Sequence, residues 1–133
     1  MKKKPRITAI STEAAPPAVG PYSQAVRAGS FLFVSGQLPL DPETGQMIGG
    51  SVADRAEQVI RNIEAICRAG GGDLKSVVRT TVYLTSMDDF AAVNEVYAAH
   101  FSGRFPARMA VGVKSLPKGA DIAMDAVAFV TEE

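Results

Sequence analysis

The chain has 133 residues, enough for one domain over residues 1–133 with a core that folds without disulfides or metals. Its 14 Lys and Arg residues balance 14 Asp and Glu residues, so a net charge of zero disfavours a nucleic-acid partner. One cysteine and one histidine exclude an intramolecular disulfide and leave too few ligands for a Cys/His metal cluster.

The N-terminal segment lacks the features of a signal peptide. The basic start at residues 1–6 is followed, up to residue 20, by a polar stretch containing prolines rather than by an apolar run. No segment approaches the roughly 18 apolar residues that cross a bilayer. We therefore expect a soluble, cytoplasmic protein, which also agrees with the single free cysteine.

The first third of the chain has the pattern of strands joined by turns. Strands are predicted over residues 22–27 and 31–36, with a weaker candidate at residues 7–10. Residues 41–45 predict a turn, because the proline presets φ and the final glycine tolerates a positive φ. Strands should therefore lie before and after this turn.

A long amphipathic helix is predicted next. Its apolar residues recur at three- and four-residue steps, namely Val52, Ala56, Val59, Ile60, Ile63, Ile66 and Cys67. Ser51 and Asp54 form a candidate capping box at its start. The three glycines at 70–72 predict its end, because glycine readily adopts the left-handed conformation that ends helices.

The second half of the chain again alternates strands with a helix. Residues 77–85 predict a strand rich in β-branched side chains. A helix follows over residues 87–101, with Ser86 and the aspartate three residues later as its cap. Strands are then predicted over residues 108–114 and 121–131. The resulting order is β-β-β-α-β-α-β-β, an α+β domain.

The strand patterns also predict self-association. Only two helices are available, and they can cover one face of the sheet while leaving the other bare. Both faces are nevertheless apolar: Phe31 and Phe33 alternate with Leu32 and Val34, and Ala123, Val127 and Phe129 alternate with Ile122, Met124 and Ala126. A second apolar face indicates burial against another subunit.

Arg108 is the leading candidate for a ligand-binding residue. In a strand it shares one face with Ala110 and Gly112, whose small side chains leave space in front of the guanidinium. A guanidinium can pair with a carboxylate through two parallel hydrogen bonds, which are strong when water is excluded. A solvated edge arginine or a structural ion pair is the alternative that the pattern leaves open.

Several other residues are candidates to line such a site. They are Tyr22, Ser35, Asn94 and Asp125 as polar partners, with Gly36 allowing close approach of the backbone to a ligand. Each also has an ordinary structural interpretation. Tyr22 fits a half-buried strand aromatic, Ser35 and Gly36 fit a strand end, and Asn94 fits the polar side of its helix.

Other reactive residue types do not form a catalytic motif. Cys67 falls on the apolar stripe of the first helix and is expected to be structural. His100 lies near the end of the second helix without the spacing of a Ser-His-Asp or Cys-His set. The glycines at 49–50 and 70–72 lack the Lys-Ser/Thr ending of a phosphate loop. A catalytic triad and a nucleotide site are therefore not supported.

Five segments resemble a known family in their order along the chain. They are Gly20-Pro21-Tyr22-Ser23-Gln24-Ala25-Val26, Val34-Ser35-Gly36-Gln37-Leu38-Pro39-Leu40-Asp41-Pro42-Glu43-Thr44-Gly45, Thr80-Thr81-Val82-Tyr83-Leu84, Asp89-Phe90-Ala91-Ala92-Val93-Asn94-Glu95-Val96-Tyr97 and Pro106-Ala107-Arg108. This set resembles the RidA/YjgF family of reactive-intermediate/imine deaminases. The resemblance implies a chorismate-mutase-like fold with a mixed sheet and two helices on one face. It also implies a homotrimer with sites in the clefts between subunits.

The same resemblance implies an activity. Family members hydrolyse enamines and imines of the 2-aminoacrylate and 2-iminobutanoate type to 2-oxo acids and ammonia, with water as the nucleophile and no cofactor or metal. It implies that Arg108 grips the carboxylate of a small-molecule substrate and that the main chain at Ala110 contacts the imine nitrogen. Tyr22, Ser35, Gly36 and Asn94 would line the pocket. An imine carbon is already electrophilic, so positioning it beside water supplies much of the acceleration.

Two positions depart from the family pattern. The last strand of the family usually has a Glu between two aliphatic residues, and this acid is expected to orient the attacking water, whereas this chain has Ala123 there. Asp125 faces the same side but lies one strand repeat away, ~6.6 Å, so it is a catalytic candidate only if a second water or a shifted substrate bridges that gap. Bulky Met109 also stands where a small residue is common.

Three functional hypotheses follow. The first is an imine deaminase in which Arg108 anchors the carboxylate and Asp125 or backbone groups position water. The second is a non-catalytic or regulatory protein that binds small carboxylates such as 2-oxo acids in the same pocket. The third, a ribonuclease or translation inhibitor, has little support in a chain of zero net charge without a pair of histidines.

Overall fold

A computed structural model of the protein describes residues 6–131. The strands are β1 (Ile7–Ile10), β2 (Ala25–Ala28), β3 (Phe31–Gln37), β4 (Val77–Leu84), β5 (Ala107–Gly112) and β6 (Ile122–Phe129), and the helices are α1 (Val52–Ala69) and α2 (Phe90–His100). Helix α1 lies between β3 and β4, and α2 lies between β4 and β5. The predicted order β-β-β-α-β-α-β-β is confirmed. Neither α1 nor α2, the longer helices of residues 6–131, has the length and apolar character to span a membrane.

The six strands form one mixed sheet in the order β1-β2-β3-β6-β4-β5. Neighbouring strands are antiparallel except for β4 and β5, which run parallel and are joined through α2. In this parallel pair Thr80 lies opposite Arg108, and Val82 lies opposite Ala110. Strand β5 is therefore an edge strand, and its position places Arg108 at one border of the sheet.

Helix α1 forms as its sequence predicts. The Ser51 hydroxyl accepts a hydrogen bond from the Asp54 amide at 3.2 Å, and the Asp54 carboxylate accepts one from the Ser51 amide at 3.0 Å. The helix ends at Gly70, and Gly71 follows with a φ of +99°. The apolar stripe is buried against the sheet. Cys67 belongs to this stripe, and its burial raises the pKa of the thiol to about 12, in agreement with a structural role.

The predicted strand over residues 22–27 is wrong at its start, because β2 begins only at Ala25. The Gln24 side chain accepts a hydrogen bond from the Thr12 amide at 2.7 Å and donates one to the Pro16 carbonyl at 2.7 Å. The Gln24 side chain thus provides hydrogen-bond partners for backbone groups of a loop, where a longer β2 would have paired backbone with backbone. Tyr22 consequently lies in a loop, where its amide donates to the Gly20 carbonyl at 2.9 Å.

The other strand bounds agree with the sequence within two residues, but two local predictions need correction. The segment 87–89 is a 3-10 turn before α2, and Ser86 caps that turn by accepting from the Asp88 amide at 3.2 Å. The turn at 41–45 is confirmed by the 2.8 Å bond from the Gly45 amide to the Asp41 carbonyl. The prediction of a full strand after the turn is wrong, because the residues there form an isolated bridge between Leu40 and Met47.

The two faces of the sheet differ in what covers them. Both helices pack on one face, where Leu32, Val82, Leu84 and Met124 are fully buried or nearly so. The opposite face, here called the bare face, carries Phe31, Phe33, Met109 and Phe129, with 45%, 49%, 52% and 52% of each residue exposed. The Phe31 and Phe129 rings meet edge to face at 5.5 Å. The second apolar face is thus confirmed, while burial of that face by another copy stays a prediction.

Candidate functional site

Arg108 lies on the helix-covered face at the edge of the sheet. Its register partner Thr80 is fully buried under the helices, and Ala110 packs against the hydrophobic core two residues further along β5. Met109 lies on the bare face between them. The alternation predicted for this strand is correct, and it directs the Arg108 side chain toward α2.

Helix α2 provides a cradle for the Arg108 guanidinium, made of Phe90, Asn94 and Tyr97. The Arg108 Cζ atom lies 4.8 Å from the centroid of the Tyr97 ring and 5.4 Å from that of Phe90. Its Nη1 donates a hydrogen bond to Asn94 Oδ1 at 2.7 Å. The three cradle residues face the same side because they are spaced four and three residues apart on the helix.

Tyr97 is the anchored member of the cradle. Its hydroxyl and that of Thr80 form a buried hydrogen bond at 2.7 Å, and its ring packs on Phe101 at 4.5 Å between centroids. Burial raises the pKa of Tyr97 above its ordinary value, although the bond with Thr80 and the charge of Arg108 act in the opposite direction. The phenol therefore stays neutral and offers its ring face to the cation.

The outer edge of the Arg108 guanidinium is available to a ligand. Within residues 6–131, Arg108 makes no ion pair with a carboxylate, and its one side-chain hydrogen bond is the Nη1 bond to Asn94. A structural ion pair is therefore excluded for the described part of the chain. A guanidinium held by two rings and one amide, with further N–H donors unused, is arranged to receive a carboxylate.

The other predicted site residues lie elsewhere on the chain. Ser35 is on the bare face, where its hydroxyl donates to the Ser23 carbonyl at 2.6 Å. In the described residues no atom comes within 4 Å of the position a Cβ would take on Gly36, so the backbone there is open to approach. Tyr22 is 52% exposed and lines an open cleft of about 720 Å³ together with Ser23. Within residues 6–131, none of these residues makes a hydrogen bond or a cation–π contact with Arg108 of the same chain.

Asp125 also lies on the bare face, in a pair that the sequence analysis missed. Its Oδ2 accepts a hydrogen bond from the Tyr83 hydroxyl at 3.0 Å. Tyr83 lies opposite Ala123 in the β4–β6 register, and Asp125 lies opposite Thr81. Burial, and after it the bond to Asp125, raises the pKa of Tyr83 above its ordinary value. The strand predicted over residues 77–85 includes Tyr83, but which residue its hydroxyl meets depends on the register of β4 against β6.

His100 has a structural partner. Its Nε2 lies 2.7 Å from Glu57 Oε1, which joins α2 to α1. This bond is the largest of the effects that lower the pKa of Glu57 below its ordinary value. Among residues 6–131 no group of three or more His, Cys, Asp or Glu side chains is placed to hold a metal ion. The chemical groups of the candidate site are therefore the Arg108 cradle, the Tyr83–Asp125 pair and open backbone.

Comparison with known proteins agrees with the fold and with the resemblance in the sequence. The model of the Endoribonuclease L-PSP family matches residues 12–130. A RutC family protein of Sinorhizobium fredii is 52% identical over 125 residues, which cover 94% of this chain and 99% of that protein. The human 2-iminobutanoate/2-iminopropanoate deaminase is 48% identical over 120 residues, covering 90% of this chain and 88% of the relative. The crystal structure of RidA from an Antarctic Psychrobacter superposes with a TM-score of 0.89 at 47% identity, covering 92% and 99% of the two chains.

Proposed function

Since the chain belongs to the Endoribonuclease L-PSP family, we propose that it hydrolyses reactive enamines and imines, of the 2-aminoacrylate and 2-iminobutanoate type, to 2-oxo acids and ammonia. Support comes from the human relative, which is named a 2-iminobutanoate/2-iminopropanoate deaminase. The observation that carries the proposal is the Arg108 guanidinium, held against the Phe90 and Tyr97 rings with its outer edge open.

The chemistry of these substrates matches the cradle. A 2-imino acid carries its carboxylate on the carbon that forms the C=N bond, so a fork that grips the carboxylate also fixes the reacting carbon. Water adds to that carbon and a proton passes to the nitrogen, giving a carbinolamine. The carbinolamine then expels ammonia as the C=O bond forms. The main chain at Ala110, which follows Arg108 by two residues in β5, is the proposed contact for the nitrogen.

The complete site is proposed to form between subunits of a homotrimer. Arg108 and Asp125 face opposite sides of one sheet, so a second copy is needed to bring Asp125 to an Arg108-bound substrate. Tyr22, Ser35 and Gly36 would also come from that neighbouring copy. The apolar bare face supports this assembly, because it leaves several large apolar side chains half exposed on the isolated chain.

Asp125 is the proposed group that orients the attacking water. Ala123 offers no acid, and Asp125 is the carboxylate on the same face, held in place by the Tyr83 hydroxyl. A carboxylate that accepts one hydrogen bond from Tyr83 retains lone pairs for a water molecule. This arrangement would supply positioning and a local base without a strong nucleophilic side chain.

The test is the rate at which the protein removes an imine. A pyridoxal-phosphate threonine dehydratase generates 2-iminobutanoate, and its loss is followed by absorbance with and without the protein. We expect native protein and Arg68→Ala, which loses an exposed guanidinium on α1, to accelerate the loss equally. Arg108→Ala should fall to the uncatalysed rate. Equal rates for native protein and Arg108→Ala would remove Arg108 from the mechanism.

A second candidate, a non-catalytic binder of small carboxylates, is favoured by one observation. Ala123 stands at the position where the family pattern has an acid, and the nearby Asp125 is already engaged by Tyr83. This candidate predicts binding of 2-oxobutanoate in calorimetry without turnover of 2-iminobutanoate. Ala123→Glu separates the two functions further, because a sharp gain of rate in that variant would identify the native pocket as a binder.

A further inference from the structure

We propose that Tyr97 is a positioning residue, which fixes the Arg108 guanidinium in the orientation that receives a carboxylate. The inference rests on the proposed function for the identity of the ligand, but its geometry is independent of the chemistry that follows binding. Tyr97 is 3% exposed and lies behind Arg108, with the Arg108 Cζ 4.8 Å from the centroid of its ring. Tyr97 therefore acts on the ligand only through the arginine.

An arginine on an edge strand has many accessible rotamers, and ordering it on binding reduces affinity. The cradle removes much of this freedom before a ligand arrives. Both rings lie within the ~6 Å range in which a guanidinium is attracted to an aromatic face. The amide of Asn94 fixes one terminal nitrogen at 2.7 Å, so the guanidinium plane is set by three separate contacts.

The Tyr97 ring is itself fixed by the strand that carries Arg108's register partner. Thr80 lies opposite Arg108 in the β4–β5 pair, and its hydroxyl bonds to the Tyr97 hydroxyl at 2.7 Å. Thr80 thus pairs with Arg108 in the sheet and hydrogen-bonds to Tyr97, while the Tyr97 ring lies against the Arg108 guanidinium. Each of the three residues is therefore held by the other two. Both hydroxyls are buried, so breaking their bond leaves unsatisfied polar groups. This cost keeps the ring in place.

Phe101 provides a matched control. Its ring packs on Tyr97 at 4.5 Å and is 3% exposed, so Phe101→Leu disturbs the same part of the core. In the described residues Phe101 makes no cation–π contact with Arg108, whereas Phe90 and Tyr97 do. A variant at 101 therefore separates general loosening of the core from loss of the ring beneath the guanidinium.

The experiment measures binding of 2-oxobutanoate by calorimetry and, in the same variants, the Nε–H resonance of Arg108 by NMR. We expect Tyr97→Leu to weaken binding by about three- to thirtyfold and to shift that resonance toward its position in a free arginine, because the ring current and the cation–π attraction are lost. Tyr97→Phe keeps the ring but loses the hydroxyl anchor, so it should show a smaller loss. Phe101→Leu should bind within about twofold of the native protein.

Phe90→Leu is the second variant if Tyr97→Leu does not fold, and a loss of binding with a shifted Nε–H resonance is expected there too. The proposal is overturned if a folded Tyr97→Leu or Phe90→Leu binds like the native chain, or if Phe101→Leu weakens binding as much as they do. It is also overturned if the native chain does not bind 2-oxobutanoate. Cradle-dependent binding without hydrolysis of 2-iminobutanoate would overturn the proposed deaminase activity and leave the role of Tyr97 standing.

Discussion

Arg108 and Asp125 lie on opposite faces of the same sheet. Their register partners in β4 are the consecutive residues Thr80 and Thr81, whose side chains alternate between the faces. Strand β4 also separates β5 from β6, so about two strand spacings, ~9.6 Å, lie between the two backbones. A guanidinium and a carboxylate so placed can act on one substrate only when different copies of the chain supply them.

This relationship predicts that inactive variants complement each other. Arg108→Ala and Asp125→Asn should each be inactive alone, but co-refolding them in equal amounts should restore about a quarter of the native rate per site. The fraction follows from random mixing, because a restored site needs Arg108 from one parent and Asp125 from the other. The measurement is loss of 2-iminobutanoate before and after denaturation and refolding of the mixture.

Refolding each variant separately and then mixing the products is the control, since stable oligomers exchange subunits slowly. A mass-tagged variant shows whether the co-refolded mixture contains mixed oligomers. If it does, and the rate nevertheless stays at background, both groups must act from one chain. That result would contradict the proposed inter-subunit site.

The bare face is expected to hold the oligomer together. Phe33 is 49% exposed on this face, and its ring lies 6.5 Å from that of Phe31, which also meets Phe129, so Phe33→Asp should place a charge where apolar burial is needed. We expect a smaller species in analytical ultracentrifugation together with loss of imine hydrolysis. Ser102→Asp introduces the same charge on the exposed loop after α2 and should change neither property. A Phe33→Asp protein of native size and full rate would argue against burial of this face.

The Glu57–His100 bond should make stability depend on pH. The folded-state pKa of Glu57 lies below its ordinary value of 4.5, chiefly because of the hydrogen bond with His100. The ionised Glu57 therefore stabilises the folded state above pH 4.5, and this stabilisation is lost as the pH falls through the folded-state pKa. The pair is partly exposed, with 25% and 35% of the two side chains accessible, so its contribution is about 0.5–1 kcal/mol.

Glu57→Gln should therefore lower the free energy of unfolding more at pH 6 than at pH 3, because the contribution of the ionised carboxylate shrinks as the pH falls below the ordinary pKa of a glutamate. Denaturant unfolding at both pH values measures the difference. Glu64→Gln is the matched control, because it removes another carboxylate of α1, one that pairs with the exposed Arg68 and not with His100. An equal effect of Glu57→Gln at both pH values would assign the loss to packing rather than to charge.

Sequence patterns predict the strands, both helices and the face of Arg108, because these depend on periods of two and 3.6 residues. The start of β2 could not be predicted, because the buried side-chain amide of Gln24 hydrogen-bonds to the loop backbone at Thr12 and Pro16, and no local pattern shows this pairing. The cradle was predicted only in part. Asn94 is a candidate from the sequence, but Phe90 and Tyr97 are not, since no local pattern shows which edge strand a helix covers. The Tyr83–Asp125 pair likewise requires the register of β4 against β6.

Asp125 and Arg108 should contribute to different steps, which kinetics can separate. If Asp125 orients water while Arg108 holds the carboxylate, Asp125→Asn should keep 2-oxobutanoate binding within about twofold and lower kcat by about 10²-fold or more. Tyr83→Phe removes the hydroxyl that holds Asp125 at 3.0 Å and should produce a smaller loss of kcat. Stopped-flow loss of 2-iminobutanoate and calorimetry on the same preparations measure both quantities. Retention of the full rate in Asp125→Asn would leave backbone groups as the means of positioning water, because Ala123 offers no acid on that face.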